Sequence, residues 1–120
     1  MNAAQLEKIV VSALEDIKGR DIEVINTAKL TPLFERIVVA SGDSNRPVRS
    51  LARNVEDKVR EAGGEILSTE GEDGGEWVLV DLGDIVVHIM QPAIRSYYNL
   101  EELWGGKGPE RVRKAAAAAV

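Results

Sequence analysis

The sequence predicts one α/β domain, a mixed sheet of about five strands flanked by helices. Three observations carry this reading. Two segments place apolar residues at helical spacing, a dense β-branched run lies between them, and two later apolar runs are split by Gly83-Asp84. Alternation of helix, strand and turn favours layered α/β packing.

Leu6, Ile9, Val10, Ala13, Leu14 and Ile17 recur on one helical face, and Gly19 follows where a helix C-terminus is often closed. Asp21 to Ile25 is short and rich in β-branched residues, which predicts a strand, and Thr31-Pro32 breaks the connection after it. Arg36 to Ala40 reads as a central strand ending in Ser41-Gly42. A second helix begins near Ser44, a candidate cap, with Pro47 in its first turn. Val48, Leu51, Ala52, Val55, Val59 and Ala62 form its buried stripe, and Gly63-Gly64 end it.

Glu65 to Thr69 can add a strand before the polar loop 71–75. Trp77 to Leu82 and Ile85 to Met90 then form a β-hairpin, because Gly83 supplies the positive φ that a two-residue turn needs at its first position. The turn sets the register: Leu82 faces Ile85, Val80 faces Val87 and Val78 faces Ile89, all on one aliphatic side. The other side carries Trp77, Leu79, Asp81, Val86, His88 and Met90, a mixture suited to a surface that is partly covered and partly used for contact. Ala93 to Trp104 is a short helical or irregular stretch rich in aromatics. The domain is therefore expected over residues 1–104, with a basic, alanine-rich and disordered tail over 105–120.

With 120 residues, 44% hydrophobic, the chain is long enough for a core without staples, and the absence of cysteine excludes disulfides and thiolate metal sites. No apolar run approaches the roughly 20 residues that span a bilayer, and no export signal is visible, so the expected location is cytoplasmic. The net charge of −5 is uneven, because Lys107, Arg111, Arg113 and Lys114 face only Glu110 in the last residues. The more acidic body disfavours nonspecific nucleic-acid binding and suits a basic protein partner.

His88 is the only histidine, and nothing in the sequence places Ser41 or Ser44 beside it, so a packing role outweighs a catalytic one. Ser41-Gly42-Asp43-Ser44 lacks a phosphate-loop pattern and reads as a turn with an N-cap. Asp81 and Asp84 can in principle hold Mg²⁺, but flanking a hairpin turn they read first as turn residues. No metal site and no cofactor are expected. Arg46, Arg49, Arg53 and Arg60 share the polar side of the second helix, either as RNA contacts or as a solvated face balanced by Glu56 and Glu61.

Three blocks carry a family likeness: Ile37 to Arg46, Gly75 to Pro92, and Tyr97 to Gly105. Over about Leu6 to Gly105 the chain resembles the ribosomal silencing factor family, also called Iojap. That resemblance implies a nucleotidyltransferase-like fold not used as an enzyme. It also implies binding to the fourteenth protein of the large ribosomal subunit, steric block of small-subunit joining, lowered translation under nutrient limitation, and a homodimer in the free form.

The partner surface implied by the resemblance comprises Trp77, Leu79, Asp81, Leu82, His88 and Met90, with Tyr98 and Glu102 at its edge. Arg46, Arg49 and Arg53 are candidate contacts to ribosomal RNA. Where many relatives carry Asp-Tyr-Phe before the central strand, this chain has Phe34-Glu35-Arg36. The rival reading from another class is a nucleotidyltransferase-like nucleotide-binding enzyme. Against it stands the spacing of Asp81 and Asp84, three apart across a turn. A third reading makes the hairpin face purely a self-association surface.

Overall fold

The computed structural model describes residues 1–104 and 111–114, with side chains through Glu102. The elements run α1 (Ala3–Asp16), β1 (Arg20–Asn26), β2 (Arg36–Ser41), α2 (Asn45–Glu61), β3 (Ser68–Glu70), β4 (Trp77–Asp81), β5 (Ile85–Met90), α3 (Pro92–Tyr98), α4 (Leu100–Trp104) and β6 (Arg111–Lys114). They form one mixed sheet in the order β3-β4-β5-β2-β1-β6, in which only β2 and β5 pair in parallel.

Helix α1 starts with a capping box: the Asn2 side chain accepts from the Gln5 backbone N–H, and the Gln5 side chain accepts from that of Asn2. It ends in a Schellman closure, with Gly19 N–H donating to the Leu14 carbonyl and Lys18 N–H to that of Glu15. The left-handed residue is Lys18 (φ 61°), not the glycine. Gly19 is needed for close approach, since a Cβ there would lie 3.0 Å from the Leu14 carbonyl oxygen and 3.1 Å from Leu51 Cδ2. Helix α2 closes in the same way, here with Gly63 in the left-handed region. Ser44 is its N-cap by backbone position, but its side chain makes no capping bond.

The hairpin register matches the expectation, with Val78 opposite Ile89 and Val80 opposite Val87, and Leu82 N–H donating to the Ile85 carbonyl across the turn. One sheet face carries Val78, Val80, Leu82, Ile85, Val87 and Ile89 into the main core with Ile22, Val24, Val38 and Ala40. Helices α1 and α2 cover that face with Leu6, Val10, Leu14, Val48, Leu51, Val55 and Val59. Each such side chain taken fully out of water contributes on the order of 1.5–3 kcal/mol before entropy is counted.

The opposite face has a smaller cluster of Ile25, Ile37, Val39, Met90 and Leu100, with Phe34, Trp77 and Ile94 packed at its border. The short helices α3 and α4 supply Ile94 and Leu100. They are also anchored by a buried polar group: Arg95 donates to Ser41 Oγ at 2.9 Å and lies 2.8 Å from Glu101 and 3.6 Å from Glu23.

Two expectations change here. The strand foreseen at Glu65 to Thr69 is the shorter β3, an edge strand on β4. Within the tail foreseen as disordered, Arg111–Lys114 pairs antiparallel with β1, Glu23 opposite Lys114 and Val24 opposite Arg113. An unpaired strand edge offers N–H and C=O groups that an extended segment satisfies, which residue-level propensity does not register. Residues 105–110 and 115–120 lie outside the described residues.

Candidate partner-binding face

Helices α3 and α4 cover only part of the second sheet face. Beside them lies a groove of about 560 Å³, floored by Leu79, Asp81, Val86, His88 and Ile37 and walled by Leu33, Phe34, Ser68, Glu70 and Gly83. The floor exists because β4 and β5 pair Leu79 with His88 and Asp81 with Val86, so these four side chains share one face. Among the described residues, Glu70 and Asp81 are its charged members and no Lys or Arg lines it. Leu33 is 78% exposed at the wall.

The aromatic residues form a connected series. Trp77 Nε1–H donates to His88 Nδ1 at 3.0 Å. The Trp77 ring lies 4.8 Å from that of Tyr98, which in turn meets Tyr97 edge-on at 5.0 Å. Burial lowers the His88 pKa from 6.5 to about 4, because desolvation penalises the imidazolium. The ring is therefore neutral at pH 7, and accepting at Nδ1 leaves its proton on Nε2.

Of the residues implied by the resemblance, Trp77, Leu79, Asp81 and His88 lie on this face, with Tyr98 packed on Trp77. Glu102 is exposed near the end of α4 and bonds Asn99. Met90 departs from that placement, whereas Leu82 takes the aliphatic side that the hairpin register assigns to it. Leu82 points into the main core, since it sits one residue beyond Asp81 in the alternation. Met90 has no exposed surface, because Leu100 and its neighbours seal it. Leu33, Phe34, Ser68 and Glu70 also wall the groove. The Phe34 position was visible in the sequence only as a departure from the family pattern. Leu33 carried no signal, being one exposed leucine in a loop.

The arginines separate into two kinds. Arg46, Arg53 and Arg60 are exposed, but Arg49 donates to the Glu72 and Asp73 carbonyls at 2.7 and 2.6 Å, fastening loop 71–75 to α2. Arg49 is thus a structural tether, which local spacing did not reveal. Glu56 does not balance Arg60 at the surface; it is buried and accepts from Thr69 Oγ1. The buried stripe of α2 rests on the first sheet face, so its arginines and the groove lie on opposite sides of the sheet.

Other chemistry is spent on structure. Ser41 Oγ is held by Arg95, and Asp81 Oδ1 accepts from Gly83 N–H at 2.9 Å as a turn residue. Among the described residues, no group of three or more His, Asp and Glu is placed to hold a metal ion, and no helix is long and apolar enough to cross a membrane.

Residues 1–119 match the family described as "Ribosomal silencing factor during starvation". The chain is 55% identical over 109 residues to "Ribosomal silencing factor RsfS" of Chromobacterium violaceum, covering 91% of this chain and 89% of that one. A crystal structure of a Chromobacterium violaceum protein, 52% identical, superimposes with a TM-score of 0.87 over 100% of both chains. A more distant similarity, 30% identity over 99 residues, is to mouse "Mitochondrial assembly of ribosomal large subunit protein 1", covering 80% of this chain and 43% of that one.

Proposed function

The chain belongs to the ribosomal silencing factor family, and on that premise we propose that it docks on the large ribosomal subunit through the subunit's fourteenth protein and excludes the small subunit. The family supports a role in ribosome-associated regulation of translation. The finer reading is steric repression of subunit joining under nutrient limitation, by a cytoplasmic protein that is not an enzyme and is a homodimer when free.

The observation that carries this reading is the groove: a mostly apolar lining with Glu70 and Asp81 and, among the described residues, no Lys or Arg, while Trp77 adjoins it beside Leu79 and Glu70. Such a face fits a basic protein surface with apolar anchors, and charge complementarity speeds the encounter and selects the partner. A steric mechanism asks only that the complex outlive encounters with free small subunits.

The test is a sucrose gradient of purified large and small subunits with this protein, at Mg²⁺ levels that drive joining. Co-migration with large subunits and loss of the joined peak is the expected result. A protein left at the top of the gradient, with joining intact, refutes the proposal.

A further inference from the structure

The two ends of the aromatic series differ in exposure. His88 is buried at 8% exposure on β5, while Tyr97 at the end of α3 is 81% exposed. Between them Trp77 and Tyr98 link strand to helix, through the bond to His88 and a ring contact at 4.8 Å. An indole has one N–H donor, and when partly buried it needs an acceptor. Here His88 Nδ1 is that acceptor, and Tyr98 meets the same indole at an interplanar angle of 46°.

We propose that His88 is a positioning residue of the partner face: by accepting the Trp77 indole N–H it locks the ring that carries Tyr98, and through it Tyr97, so the aromatic border is formed before a partner arrives. The inference rests on the docking reading above and adds to it a division of labour. Trp77 and the tyrosines make contact, whereas His88 acts through Trp77. Locking the rings beforehand removes ordering costs that binding would otherwise carry.

Three variants test this: His88→Phe, which keeps a ring but loses the acceptor; His88→Gln, which offers a carbonyl acceptor; and Trp77→Phe, which loses the donor. In the free protein, the Trp77 indole N–H resonance, assigned by its disappearance in Trp77→Phe, should move in His88→Phe and return towards its original position in His88→Gln. Affinity for the purified fourteenth ribosomal protein should fall about 10-fold in His88→Phe, but less than about 2-fold when that change is made in Trp77→Phe, since coupled residues are not additive.

An equal loss in both backgrounds would show that His88 meets the partner directly, and would overturn the proposal. So would an unmoved indole resonance, which is read without any partner. Absence of binding by the wild-type protein would instead refute the docking reading, while the resonance still decides whether His88 holds the indole.

Discussion

Arg95 and Glu101 meet at 2.8 Å across the left-handed Asn99 that separates α3 from α4, and the same guanidinium donates to Ser41 Oγ on β2. One buried side chain thus ties both short helices to the sheet. Removing a single partner from such a group leaves buried charge uncompensated, which costs more than the intact pair contributes. Arg95→Met should destabilise the fold by about 3 kcal/mol. Urea denaturation would show it, and proteolysis within 91–102 should accelerate as the cover over Met90 loosens. An unchanged midpoint would assign the cover to apolar contacts alone.

Trp77→Ala and Leu82→Ala should fail in different ways. Trp77 borders the groove, so its loss should weaken binding to the ribosomal protein by ~2 kcal/mol or more, as aromatic anchors often do. Leu82 lies in the main core. Its truncation should cost about 2–3 kcal/mol of stability and leave the affinity of the folded fraction unchanged. Titration calorimetry paired with thermal melts separates the two.

Arg49→Ala should free loop 71–75 while barely altering affinity for RNA-bearing subunits, because its guanidinium is already bound to two loop carbonyls. The expected loss is about 1 kcal/mol, in line with hydrogen bonds to a charged donor at a half-exposed site. Amide exchange across the loop should rise. If RNA contact occurs at α2, Arg46→Gln and Arg53→Gln should flatten the salt dependence of subunit binding and Arg49→Ala should not.

Acid should destabilise the protein through His88. Its folded pKa of about 4 lies below the ordinary 6.5 because burial disfavours the charge, so between those values the unfolded chain binds more protons. The stabilisation is complete above pH 6.5 and is lost as the pH falls towards 4, by on the order of 3 kcal/mol. Asp81 and Glu70 line the same groove, but burial governs the shift. Across pH 7 to 4 the denaturation midpoint of wild type should fall relative to that of His88→Gln, which has no group titrating at that position; parallel curves would count against the assignment.

Much of this was legible beforehand. The hairpin register and the composition of its two faces followed from a strict period of two and a Gly-Asp turn, and the helices from apolar stripes ending in glycine. Trp77, Leu79, Asp81 and His88 were placed on one face by the same alternation. Met90 shares that alternation, yet it is sealed, because Leu100 from α4 packs over one end of the face and stops short of the other. Alternation assigns a side chain to a face and says nothing of what covers it. The tether of Arg49 and the inward turn of Glu56 were hidden for a similar reason, since their partners Glu72, Asp73 and Thr69 are remote in sequence.

By itself, then, the sequence determined the α/β class, the helix ends, the hairpin and its two faces, since periodicity and turn chemistry act within a few residues. Tertiary structure alone decided which half of the second sheet face stays open, that a basic segment at 111–114 lengthens the sheet, and that Trp77 is held by His88. Those outcomes depend on which distant segments pair and on how far two short helices reach, and both are settled only when the whole chain competes for the same buried surface.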